Sequence, residues 1–212
     1  MSPESAPTPS VPRTRKGVQT RARLVEAARV VFERDGFLEA RISDIAREAG
    51  LSHGSYYHYF DSKEQLFREV AERQEERLTA PPDGAEPEPD GTTTPVERIR
   101  RANRRYFERY RESARLMGVI EQVSRYDAQV NAARMATQRH FAERSERAIR
   151  GWQAEGLVDA GIDPVVAADA LGAMTARFAE LWLVQGYRAY DFDEAVDQVT
   201  RLWANALGLR EP

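Results

Sequence analysis

The stretch 51–67, LSHGSYYHYFDSKEQLF, crowds four aromatic rings and two of the chain's three histidines into ten residues beside a glycine. These side chains offer three chemistries. As metal ligands, His53 and His58 stand five apart rather than three or four, and no cysteine completes a set. No metal and no cofactor are expected. As catalytic groups they have little company, because the sequence lacks cysteine and a Gly-rich phosphate loop. His140 with Glu143 and Glu146 sketches a base with orienting acids, but on an Arg- and Glu-rich helix it reads as a solvated face. No enzyme is expected.

The third chemistry, contact with a nucleic-acid groove, fits best. Gly54 removes a side chain where a backbone must come close. His53 and Ser55 can donate or accept at base edges. Tyr57, His58 and Tyr59 can reach phosphate oxygens with their polar tips while their rings pack on sugars. Lys63 falls in the first turn of the next helix, where unpaired backbone N–H groups also attract phosphate. Arg41 and Ser43 precede this group as further backbone contacts, and Ser52 stands at its start as a helix cap.

Short elements must position these residues. Val18–Asp35 reads as a helix with Leu24, Ala28, Val31 and Phe32 at helical spacing, and Asp35-Gly36 supplies its stop. A short helix from about Ile42 ends at Ala49-Gly50. Ser52 opens a third helix, finished by Asp61. Ser62 opens a fourth, with Gln65 three residues on as a capping box. Helix, short helix, tight turn, short helix is the helix-turn-helix pattern. Leu51, Tyr56 and Phe60 share its inward face, although the Tyr56 hydroxyl has no partner assigned.

Further along, Pro81–Pro95 holds five prolines and four acids with no base, and reads as a flexible loop. Longer helices are expected over Pro95–Glu112, Ser113 to about Arg125, Asp127–Glu155, Pro164–Gln185 and Asp191 or Asp193 to Leu207. The fold class is therefore all-α. The expected domains are a partly basic, disordered arm (1–17), the helix-turn-helix (18–63), a connecting helix (64–80), the loop (81–95) and a larger helical domain (96–208).

Composition bounds the rest. The 212 residues are 42% hydrophobic and 31% charged, with a net charge of −3, a soluble helical profile. Zero cysteines suit a reducing cytoplasm. No stretch reaches the roughly 18 apolar residues of a membrane helix, so no membrane partner is expected. Arg13, Arg15, Lys16, Arg21 and Arg23 lie together with no acid among them, a basic arm on an acidic chain.

Thr20–Phe67 resembles the DNA-binding domain of the TetR family of bacterial transcriptional regulators. The matching residues are Ala27-Ala28, Phe32, Gly36-Phe37, Asp44-Ile45-Ala46, Ala49-Gly50, Ser52, Gly54, Tyr57-x-Tyr59-Phe60 and Ser62-Lys63-Glu64. The resemblance implies a homodimer on a palindromic double-stranded operator, with the third helix in the major groove. It also implies a ligand-binding and dimerisation domain, and a repressor released by its effector. Two residues depart from the family pattern. Arg41 stands where a capping Thr or Ser is usual, and Tyr56 where an aliphatic residue is usual. A helical adaptor that binds only protein is the rival reading; it leaves the outward row His53–Tyr59 unexplained.

In the larger domain, Tyr106, Tyr110, Met117, Glu121, Phe141, Phe178 and Trp182 have the composition of a pocket for a small hydrophobic effector. Ala168, Gly172 and Ala176 with Leu183 form a small-residue stripe. Val196, Val199 and Trp203 lie on a wide apolar face. By the family's pattern these last two groups are expected at the dimer interface.

Overall fold

The computed structural model describes residues 14–80 and 93–209. Most of the basic arm (1–13), most of the acidic loop (81–92) and the last three residues lie outside them. Among the described residues the secondary structure is helical: α1 (Arg15–Glu39), α2 (Ile42–Glu48), α3 (His53–Tyr56), α4 (Lys63–Thr79), α5 (Pro95–Glu112), α6 (Ala114–Ser124), α7 (Ala128–Ala154), α8 (Pro164–Ala179) and α9 (Phe192–Leu207). A π-helical segment, Glu180–Val184, continues α8. None of these helices is long and apolar enough to cross a membrane.

Caps account for most boundaries. The side chains of Thr14, Ser52, Thr94, Asp163 and Asp191 each accept from a backbone N–H in the first turn of the helix they precede. Ser62 Oγ accepts from Gln65 N at 3.1 Å, and Gln65 Oε1 reaches back to Asp61 N at 2.7 Å. Gly208, in the left-handed region at φ 69, stops α9. Gly36, at φ 75, breaks the helical path inside α1 where the sequence places a stop. The first helix starts three residues earlier than its apolar pattern suggests, because Thr14 caps it; Arg15, Lys16 and Gly17 are helical rather than part of an arm.

The chain forms two compact units. The first runs to Gln74 and includes Val119–Asn131; the second holds Glu75–Gly118 and the chain from Ala132 onward. The division therefore falls within α4. The α6–α7 corner joins the first unit, where Arg68 pairs with Asp127 at 2.9 Å.

The first unit buries Leu24, Ala28, Val31 and Phe32 of α1 with Ile45, Ala46, Leu66 and Phe67. Phe67 sets its ring edge-on to Phe32 and Phe37, each at 5.0 Å. Tyr56 and Phe60 are fully buried in the same core. In the second unit α5 lies along α9, and α8 contacts both. Two buried polar contacts cross these helices: Asn103 Nδ2 donates to Thr200 Oγ1 at 3.2 Å, and Trp203 Nε1 donates to Thr175 Oγ1 at 2.8 Å.

The Tyr56 hydroxyl donates to the Ser62 carbonyl at 2.8 Å. Burial pushes its pKa up, so it stays a donor. Tyr56→Phe removes this bond while keeping the ring. It is expected to cost about 1 kcal/mol and to lower the melting temperature by about 2–4 °C, read by circular dichroism.

Candidate nucleic-acid interface and ligand cavity

The first unit presents one polar row. α2 ends at Ala49-Gly50, and Gly50 takes φ 64 to turn the chain into α3. α3 is a single turn, prolonged by Tyr59 N donating to Tyr56 O (2.9 Å) and Phe60 N donating to Tyr56 O (3.2 Å). With Tyr56 and Phe60 inward, Ser52, His53, Gly54, Tyr57 and His58 are exposed, and Ser55 and Tyr59 are half-buried. Leu51, read as an inward anchor, is only half-buried. Tyr57 sets its ring edge-on to His53 at 5.4 Å. The Ser55 hydroxyl sits 2.7 Å from that of Ser52, which also accepts from Ser55 N.

At Gly54 an added Cβ would meet nothing within 4 Å. The protein's own packing does not require a glycine there, and glycine inside a helix costs roughly 0.5–1 kcal/mol relative to alanine. Arg41 and Ser43 are exposed at the start of α2. Arg41 takes the N-cap position with no side-chain cap bond, so the expected loss of the cap is not made good by a neighbouring hydroxyl.

Lys63 does something the sequence reading missed. Its ammonium donates to the carbonyls of Phe37 (2.7 Å), Leu38 (3.2 Å) and Ala40 (2.9 Å) and stands 4.7 Å from the centre of the Phe37 ring. All three ammonium donors thus meet the carbonyls where α1 ends. Arg23 does the same for α2, donating to the Ala49 carbonyl. Neither contact is visible in sequence, because each joins residues more than twenty positions apart.

The second unit contains a cavity of about 560 Å³. Four of the seven residues expected in an effector pocket line it: Tyr106, Tyr110, Met117 and Phe141. The other three do not. Phe178 and Trp182 meet at a tilt, 5.6 Å apart, and pack on Phe107 and Tyr190, outside the lining. Glu121 belongs to the first unit and pairs with Arg125 at 2.7 Å.

The residues expected at a dimer interface are used differently. Ala168, Gly172, Ala176 and Trp203 line the cavity, and Ala168, Val196, Val199 and Trp203 are buried within the chain itself. Buried side chains have no surface to offer a partner. Leu183, in the π-helical segment, is half-buried. Helical spacing identifies an apolar stripe without saying which neighbour covers it.

Sequence reading also missed Glu75. Its carboxyl lines the cavity, is 5% exposed, and leaves Oε1 without a hydrogen-bond partner. Burial raises its pKa, opposed by a hydrogen bond with Thr137 and by the Arg134 charge. A carboxyl that holds its proton more tightly folded than unfolded keeps its full stability below the unfolded pKa. That stability is lost as pH rises through the folded pKa. Glu75→Gln is therefore expected to raise the melting temperature in mildly alkaline buffer by about 2–4 °C for each roughly 1 kcal/mol of relieved desolvation. The gap should close as pH falls into the ordinary carboxyl range, in melting curves recorded across pH.

Residues 24–70 match the family of bacterial regulatory proteins, tetR family. Over 55 residues the chain is 46% identical to the uncharacterized HTH-type transcriptional regulator YdgC of Bacillus subtilis, a match covering 26% of this chain and 28% of that protein. Over 63 residues it is 41% identical to the HTH-type transcriptional repressor KstR2 of Mycolicibacterium smegmatis, covering 30% of this chain and 28% of that one. These matches span little more than a quarter of either relative's own length. The fold extends further: a tetR-family transcriptional regulator from Streptomyces coelicolor superposes with a TM-score of 0.71 at 20% identity, over 89% of this chain and 80% of that one. The helix-turn-helix is thus similar in sequence to the tetR family of bacterial regulatory proteins over residues 24–70, and the rest of the chain is similar to solved tetR-family regulators in fold.

Proposed function

We propose that the chain is a cytoplasmic transcriptional repressor that binds a palindromic operator as a homodimer and releases it when a small ligand enters the cavity of the second unit. The observation that carries this reading is the exposed row His53, Gly54, Tyr57 and His58 on a helix whose other face is buried. α3 is the reading element in the major groove. His53 and Ser55 face base edges; Tyr57, His58 and Tyr59 contact phosphate and sugar, with Arg41, Ser43 and Ser52 at the flanking backbone. Lys63 acts through position, holding the end of α1 against α4. As a homodimer the chain sets two copies of α3 about one DNA turn apart, roughly 34–36 Å.

The dimer face is the exposed side of α8 and α9, with Val166 (64% exposed), Ala170, Leu202 (53% exposed) and Ala206. The small residues admit close helix approach, and the two large apolar side chains gain from burial. Leu202→Asp is expected to shift the chain from dimer to monomer at micromolar concentration, measured by sedimentation velocity; an unchanged dimer would place the interface elsewhere.

Selection of bound duplexes from a random pool tests the DNA reading. One palindromic site is expected to enrich. Gly54→Ala should then separate stability from binding. It fills open space on a helix, so it should stabilise the fold by roughly 0.5–1 kcal/mol, while weakening operator binding at least ten-fold in gel shifts. A pool that enriches nothing removes the DNA-binding reading.

A further inference from the structure

Two buried carboxyls line the cavity, and their surroundings differ. Glu180, at the start of the π-helical segment, pairs with Arg177 at 2.5 Å and accepts from Gln185 Nε2 at 2.9 Å. Glu75 has a hydrogen bond with Thr137, but its Oε1 has no partner and almost no accessible surface, so bulk water does not serve it. The third acid of the lining, Asp169, is exposed and hydrated. Glu75 is thus the carboxyl whose hydrogen bonding the cavity leaves incomplete.

The missing partner has a definite character. Burial favours the acid form of Glu75, while the Thr137 hydrogen bond and the Arg134 charge favour the carboxylate. In the carboxylate both oxygens only accept, and the acid keeps an accepting carbonyl oxygen. What Glu75 lacks is therefore a donor. The terminal torsion of a glutamate is broad, so a rotation turns an oxygen toward a donor arriving from the cavity. Arg134 and Thr137 stand three residues apart on one face of α7, and both line the cavity. A cation arriving at Glu75 meets the Arg134 guanidinium, and an anion meets the carboxylate; an uncharged donor is repelled by neither. The neighbouring surface is apolar and aromatic: Tyr106 meets Phe141 edge-on at 5.5 Å, and Met117 and Ile149 also line this cavity.

We infer that the cavity takes an uncharged, largely apolar molecule carrying a hydroxyl or N–H group that donates to the Glu75 carboxyl, with its body against Tyr106, Phe141 and Met117. The inference rests on reading this cavity as the effector site, and it gives a small hydrophobic effector one polar requirement. A site built around such a bond rejects the analogue that lacks it, because the buried oxygen is then left unpaired.

Four probes on one ring system test it with the full-length protein at neutral pH: 2-naphthol, 2-methoxynaphthalene, 2-naphthoate and 2-naphthylmethylammonium. Each is titrated calorimetrically. The naphthol is expected to bind at least about ten-fold more tightly than the methyl ether, which fills the same space without a donor, and more tightly than either ion. Glu75→Leu should bring the naphthol down to the affinity of the ether. Glu75→Gln keeps an accepting oxygen and should retain the preference; melting curves check that both variants are folded. The ether or either ion binding as tightly as the naphthol overturns the inference while leaving a ligand cavity in place. A preference that survives Glu75→Leu overturns it as well, since another group then receives the donor. Binding of none of the four overturns the inference and the effector reading together. Naphthol binding with the expected preference but without effect on operator affinity supports the inference and counts against the effector role.

Discussion

A helix of four residues closes too few hydrogen bonds to persist in water, so α3 depends on what holds its buried side. That anchor is Tyr56. Its ring has no exposed surface, and its hydroxyl reaches the Ser62 carbonyl, on the residue that also caps α4. One side chain thereby joins the end of the presented row to the start of the next helix. An aliphatic residue at this position would bury comparable area but leave α3 and Ser62 to be aligned by packing contacts with no fixed direction. The hydroxyl adds direction, and a row that meets a groove, as proposed, benefits from being oriented before it binds.

The same unit settles its remaining backbone accounts with cations. The carbonyls where α1 and α2 end receive Lys63 and Arg23. Lys63 follows the exposed row by a few residues, and Arg23 reaches Ala49 just before it, so either cation, if free, could attract phosphate. On the proposed DNA-binding reading, their use as internal donors shifts the burden of contact onto hydroxyl, imidazole and backbone groups. Such contacts depend on geometry and respond less steeply to salt than ammonium–phosphate pairs do.

The second unit follows another logic. Asn103–Thr200 and Thr175–Trp203 tie α5, α8 and α9 together with buried polar contacts. α7, by contrast, buries only Val130, Ile149 and Trp152 along 27 residues. Open space beside a helix forfeits dispersion contacts on both of its walls. The unpartnered Glu75 carboxyl oxygen forfeits more. A chain selected only for stability would fill this space with leucine and remove the charges, which supports the proposal that the cavity takes a ligand.

Much of the first unit was legible in sequence because its signals are local. Ser52 and Ser62 cap within three residues, Gly36 and Gly50 mark turns, and Tyr56 and Phe60 share one face by spacing. What escaped was what sequence separation hides: the acceptors of Lys63 and Arg23, and the partner of the Tyr56 hydroxyl six residues away. In the second unit the boundaries of α5 and α9 were readable from Thr94-Pro95, Asp191 and Gly208. The assignment of faces was not. Ala168, Gly172, Ala176 and Trp203 carry the same apolar pattern whether they meet a partner, a core or a cavity, and Phe178 and Trp182 are equally at home in a pocket or an aromatic stack.

On the proposed reading of the cavity as an effector site, charge is the part of the second unit that bears on regulation. A ligand moves a conformational equilibrium only by binding one state more tightly than the other, and a full reversal takes about 5.5 kcal/mol of difference. Apolar contact supplies affinity with little discrimination, because a flexible body repacks in either state. A hydrogen bond to a buried carboxyl discriminates better, since it depends on distance and angle. Glu75 sits on α4, the helix that also begins with Lys63, and its partner Thr137 on α7. If the cavity is an effector site as proposed, its apolar lining supplies affinity and its charged groups the preference for one state.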